Sequence, residues 1–161
     1  PVATVGGLAA AAAGLGVELR RLGVDLELVL PDYGDVTLAD ETTLTLDVPD
    51  WVGSAEVRVG THPAVGRLHL VSVPGMARPH PYLQASGEGW ADNSARFFRF
   101  ARAVAAYVEQ DPPDILHLND WHTGPTLAAL TNPPPTVVSI HNLAYQGVAD
   151  ATLLDCIGPM A

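Results

Sequence analysis

The sequence predicts an α/β fold built on a doubly wound, mostly parallel sheet, and three observations lead there. Helical and strand-like segments alternate along the chain. Two short apolar runs, Ile115 to Leu118 and Val137 to Ile140, each end abruptly in imidazole, amide and carboxylate groups. Consecutive parallel strands read this way where their carboxyl ends open onto a ligand cleft. A glycine pair, Gly6-Gly7, opens the first helical stretch, as in folds that bring backbone amides close to an anion.

Taken in order, Ala9 to Leu22 is a run of strong helix formers despite Gly14 and Gly16. Gly23 sits where a C-terminal cap is expected. Val24 to Leu30 alternates like a strand and ends in the turn Pro31-Asp32-Tyr33-Gly34. Thr43 to Val48, Ala55 to Gly60 and Arg67 to Val73 are short strand candidates separated by Gly and Pro, expected to pair antiparallel as a hairpin insert. Pro74 to Gly89 reads as loop. Trp90 to Glu109 reads as a helix, apolar at Phe97, Phe100, Ala101, Val104 and Val108 and stopped by Asp111-Pro112-Pro113. Ile115 to Leu118 is a strand, Thr123 to Leu130 a helix and Thr136 to Ile140 a strand. Only Pro1 to Val5 precede the glycine pair, too few for the buried strand that such a turn normally follows, so either that first strand lies upstream, the expected case, or the sheet lacks its usual middle member.

Composition narrows the class. The 161 residues suffice for one domain with a proper core, and 48% hydrophobic against 16% charged residues argues for a folded chain. The net charge is −10, and all eight cations are arginine. No basic patch is available to neutralise phosphates, so neither nucleic acid nor an anionic membrane is an expected partner. Lone Cys156 leaves no disulfide to form within these residues and fits a cytoplasmic protein. No eighteen-residue apolar run is present. His117, Asp120 and His122 lack the Glu/His spacing of helical zinc motifs, and no metal is expected.

Five blocks carry a family resemblance: Val5-Gly6-Gly7-Leu8-Ala9, Val29-Leu30-Pro31-Asp32-Tyr33-Gly34, Trp90-Ala91-Asp92-Asn93 with Arg96-Phe97, Asp120-Trp121-His122-Thr123-Gly124, and His141-Asn142-Leu143-Ala144-Tyr145-Gln146-Gly147. In this order they resemble bacterial glycogen synthases and plant starch synthases. The resemblance implies a GT-B architecture, two Rossmann-like domains facing across a cleft. Residues 1–161 would be its amino-terminal domain, without the first strand and without the carboxyl-terminal domain. It implies a hexosyltransferase that moves glucose from ADP-glucose or UDP-glucose to an α-1,4-glucan with retention of configuration and with no cofactor. A non-catalytic carbohydrate-binding lobe derived from the same fold is the alternative. The isolated chain, holding half a cleft, is expected to be inactive.

The resemblance also implies roles. His122 is expected to point into the cleft and hydrogen-bond the transferred glucose, and Asp92 to lie with it near the sugar. An imidazole suits this because one nitrogen can donate while the other is held by a neighbour. Asp120 is either that neighbour or the cap of the following helix. Gly6 and Gly7 would approach the pyrophosphate, with Thr4 nearby. His141 and Asn142 would line the crevice, Tyr145 and Gln146 would meet the acceptor glucan, and Asn93 would accompany Asp92. Purely local readings stand beside these. Asp92 and Asn93 can cap their helix, Arg96 can pair with Asp92, Asn142 can bond its own turn, Trp121 can be core, and His117 a satisfied core histidine. Two positions depart from the family pattern. Thr4 stands where a phosphate-binding lysine is implied, and Ala10 where an aspartate is implied.

Overall fold

A computed structural model describes residues 7–158, in which helices and strands alternate. Helix α1 (Gly7–Arg21) ends as its sequence asks. Gly23 takes φ +86°, with its N–H donating to Arg20 O at 3.0 Å and that of Val24 to Leu19 O at 3.0 Å. The chain then needs several residues to leave this cap. Arg20 bonds the Leu26 carbonyl at 2.9 Å, tying this stretch back to α1 rather than to a neighbouring strand. Strand β1 is therefore Leu28–Pro31, later and shorter than the Val24 to Leu30 expected.

Strands β2 (Ala39–Thr45), β3 (Glu56–His62) and β4 (Gly66–Ser72) form an antiparallel meander, and β4 also pairs in parallel with β1, giving the order β1-β4-β3-β2. β2 begins earlier than the Thr43 to Val48 expected, across a register shift between Ala39 and Thr42 with Asp40 at φ 52°. This bulged start presses on β3, where a Cβ on Gly60 would meet Ala39 O and Leu38 Cβ at 2.7 Å.

Helix α2 (Asn93–Gln110) crosses the core, and β5 (Leu116–Asn119) and β6 (Thr136–Ser139) pair in parallel around α3 (Pro125–Ala129). A short α4 (Thr152–Ile157) was not expected from the sequence. The α/β reading holds. The one sheet it anticipated is two among the described residues, a mixed four-stranded sheet and the parallel β5–β6 pair. No described helix is long and apolar enough to cross a membrane.

β4 is buried on both faces. Leu68 and Leu70 pack with Leu38, whereas Val71 joins Phe97, Phe100, Ala101, Val104 and Val108 of α2 in the main core. His69, on the α2 side of β4, is fully buried, with Nδ1 2.7 Å from the Tyr107 hydroxyl. Arg67 donates to its Nε2 at 3.3 Å. Burial holds this imidazole below the usual histidine range, against the opposing pull of Glu27.

Candidate active site

β5 and β6 run parallel in register, Leu116 opposite Thr136 and Asn119 opposite Ser139, so their carboxyl ends emerge side by side. Asp120 follows directly, at φ 60°. That left-handed turn, which aspartate tolerates better than most residues, aims a buried carboxylate across the gap. Its Oδ1 accepts the N–H of His141 at 2.7 Å and that of Asn142 at 3.4 Å. The N–H of Asp120 itself donates to Ser139 O at 2.8 Å. Asp120 thus fastens the second strand end to the first, and its side chain does not cap α3. The His141 ring, exposed, reaches back with Nε2 2.9 Å from Asn119 Oδ1. His117, one turn of the strand below, pairs its Nε2 with Ser139 Oγ at 2.7 Å.

The loop after β6 is organised by its own polar groups. Asn142 Oδ1 accepts the N–H of Ala144 at 2.9 Å, the local turn foreseen as one reading of this residue. Gln146 Nε2 donates to Leu143 O at 2.9 Å, and Tyr145 stands exposed. Gly147, at φ +64°, comes so close to the Trp121 indole that a Cβ there would overlap the ring. Ser94, Trp121, Tyr145, Gln146 and Gly147 line an open groove of ≈ 260 Å³. Trp121 therefore serves both readings, packing on the core with one face and lining the groove with another.

His122 packs beside Trp121. Its ring is half-buried in an aromatic box, with centroids 4.2 Å from Trp121, 4.8 Å from Phe97 and 5.0 Å from Tyr82. It has no hydrogen-bond partner among the described residues. Burial pushes its pKa down to about 4, with Asp120 pulling up and Arg96 pushing further down. The neutral imidazole keeps one donor and one acceptor nitrogen. A histidine depressed in this way binds fewer protons folded than unfolded. Its contribution to stability is complete above about pH 6.5 and is lost as the pH falls from there toward 4. Denaturation midpoints should fall over that interval, by a free energy on the order of 2–3 kcal/mol at the acid end. His122→Gln should flatten the fall to what His69 and the low-pKa carboxylates Glu41 and Asp150 supply. An unaltered pH profile in that variant would remove this account of the imidazole.

The start of α2 holds two surprises. Asp92 occupies the N-cap position without a side-chain cap bond, because its carboxylate is taken by Arg78 at 2.6 Å. Arg78 in turn lies 4.6 Å over the Trp90 ring. Arg96, which by spacing could pair with Asp92, is instead fully buried and bonds Asn93 Oδ1 at 2.6 Å and the Pro81 carbonyl. The Asn93 amide is likewise committed, Nδ2 donating to Tyr82 O at 2.9 Å. Tyr82 and Arg96 were not foreseen as site residues, since no spacing rule links a loop tyrosine to a histidine forty positions on. Thr4 and Gly6 lie outside the described residues. Gly7 opens α1 with nothing within 4 Å of where a Cβ would stand. The structure therefore brings together Asp120, His141 and Asn142, with Tyr145 and Gln146 on the adjoining loop. It places His122, Asp92 and Asn93 around the start of α2.

No cluster of three His, Cys, Asp or Glu side chains able to hold a metal occurs among the described residues. The starch synthase catalytic domain family matches residues 1–159. Glycogen synthase 2 of Nitrosococcus oceani is 37% identical over 98% of this chain, and glycogen synthase of Acidiphilium cryptum is 37% identical over 98%. The catalytic domain of starch synthase IV from Arabidopsis thaliana, solved bound to ADP and acarbose, superposes with a TM-score of 0.76 at 28% identity over 98% of the chain. The chain spans about a third of the length of these proteins, 35% in each case.

Proposed function

We propose, for a chain that belongs to the starch synthase catalytic domain family, that it is the amino-terminal Rossmann-like lobe of a GT-B enzyme. That enzyme elongates an α-1,4-glucan from a nucleotide-glucose donor, ADP-glucose or UDP-glucose, with retention of configuration. One observation supports this most: the Asp120 carboxylate binds the two amides that follow β6, so two polar strand ends become a single surface beside a groove. That is where ligands sit on open parallel sheets. The ADP and acarbose held by the superposed starch synthase are a nucleotide and a sugar chain of the kinds this reading requires.

Glucosyl transfer passes through a cation-like sugar while negative charge grows on the departing phosphate. The site must hold hydroxyls, favour anionic oxygen and exclude water. On this chain, Asp120 at the end of β5 and His141 beyond the end of β6 offer an acceptor and an imidazole, and Asn142 adds its side-chain amide beside them. Neutral His122 supplies a donor and an acceptor without adding charge. Tyr145 and Gln146 border the groove as the surface for the glucan. Asp92 and Asn93, engaged by Arg78 and Arg96, would act from the start of α2, next to Ser94 of the groove. Gly6, Gly7 and Thr4 would face the donor phosphates, and Thr4 and Ala10 make that region more neutral than in the family pattern. The exposed free thiol of Cys156 fits a cytoplasmic setting.

The complete polypeptide that carries this chain should move labelled glucose from one of the two donors onto a glycogen primer, in α-1,4 linkage. The 161 residues alone should move none. His141→Ala in the complete polypeptide should lower kcat/KM on the order of 100-fold. Transfer from neither donor would end the proposal in favour of a lobe that only binds carbohydrate.

A further inference from the structure

We infer that Arg96 is a positioning residue for His122: its buried guanidinium fixes the Pro81–Tyr82 backbone, and the Tyr82 ring then walls in the imidazole. The inference rests on the reading of His122 as a sugar-binding group, and adds the element that holds it. Arg96 has 0% exposure, yet no carboxylate bonds it among the described residues. Its bonds go instead to the Pro81 carbonyl, to Asn93 Oδ1 at 2.6 and 3.2 Å, and to the Met76 sulfur at 3.5 Å. Its guanidinium carbon also lies 4.5 Å over the Phe97 ring.

Burying a cation on neutral acceptors alone is costly, and a methionine or leucine would fill the same space without that desolvation. What an apolar side chain cannot do is hold separate chain segments in one register. Five donors in a rigid fork can. Arg96 ties the helix start to Pro81, and Asn93, its acceptor, ties Tyr82 O at 2.9 Å. The two residues therefore clamp consecutive carbonyls of a loop that has only an isolated bridge, Leu83 to Gly89, as regular structure. The Tyr82 ring that this clamp presents sits 5.0 Å from His122 and 5.8 Å from Phe97, forming one wall of the box. The charged groups acting on His122 are Asp120 from the β5 end and Arg96 from α2. Arg96 thus reaches the imidazole by two routes, packing and field, which an experiment can separate.

The test is the titration of His122 in the full chain labelled with 13Cε1-histidine, its resonance assigned by loss in His122→Gln. Arg96→Met removes both clamp and charge. Asn93→Leu removes the bond to Tyr82 and the acceptor of Arg96 while leaving the charge. Val57→Ala, a core truncation in β3, controls for general loosening. Positioning through Tyr82 requires the midpoint to rise by about one unit or more toward 6.5 in both Arg96→Met and Asn93→Leu, but not in Val57→Ala. A rise confined to Arg96→Met would mean a field effect alone. An equal rise in Val57→Ala would mean nonspecific opening, and no rise in either clamp variant would mean no clamp. Each of these overturns the inference. The readout does not involve transfer, so an enzyme that moves no glucose leaves the result interpretable.

Discussion

Asp120→Ala should destabilise the chain by about 3 kcal/mol, and Asp120→Asn by less than about 1 kcal/mol. The alanine removes a charge-assisted acceptor from two loop amides, at 2.7 and 3.4 Å, which are then left without a partner in a half-closed crevice. It also places a Cβ-bearing residue with no polar side chain at φ 60°, where the left-handed conformation costs about 1 kcal/mol. Asparagine keeps Oδ1 in place and tolerates the same backbone. Urea midpoints of the two variants should differ clearly, and coincident midpoints would show that the carboxylate does not hold the strand ends together. In the complete polypeptide the pair has a second use. Asp120→Asn retains the latch but surrenders the charge, so a loss of transfer in a variant of near-normal stability isolates the carboxylate's part at the sugar from its part in the fold.

The sequence made α2 legible because Phe97, Phe100, Ala101, Val104 and Val108 repeat at helical spacing, and every one of them is buried in the main core. β5 and β6 were legible for a related reason, short apolar runs ended by polar clusters. β2 was misplaced because it is an edge strand exposed along its whole length. With neither face packed on the core, no period of two marks it. The Asp92–Arg96 pair, one local reading that spacing allowed, is not formed, and for a different cause. Helical spacing reports which residues can meet on one helix, but the loop from Pro74 to Gly89 delivers Arg78 to Asp92 and the Pro81 carbonyl to Arg96. Contacts supplied by a segment without periodicity leave no trace in a spacing rule. His122 shows the same limit at the site. Its position after a strand was readable. The direction of its ring depends on the left-handed Asp120 and on a tyrosine forty residues earlier. The resemblance named candidates along the chain, and the backbone decides which of the described ones lie together and which face solvent.

Gly147→Ala should cost about 3 kcal/mol and disturb the groove more than the core. Gly147 stands at φ +64°, unfavourable for any Cβ-bearing side chain by about 1 kcal/mol. A Cβ there would also lie 2.6 Å from Trp121 Cδ2 and 2.8 Å from Cγ, overlaps that force the loop or the indole to move at about 1–3 kcal/mol. The indole has little room to yield, held by the Phe97 ring at 5.3 Å and the His122 ring at 4.2 Å. The 141–148 loop should therefore lift, taking Tyr145 and Gln146 away from Ser94 across the groove, while Asp120 still grips His141. Two measurements separate this from ordinary destabilisation. Hydrogen exchange at Ala144 to Val148 should accelerate while that of Phe97 to Val108 is unchanged. In a double-mutant cycle with Trp121→Leu, which removes the surface that the new methyl strikes, Gly147→Ala should cost at least about 1 kcal/mol less than in the native background. If the two changes simply add, the glycine is required by its backbone angle alone, and the close approach of Gly147 to Trp121 does not set the height of the loop.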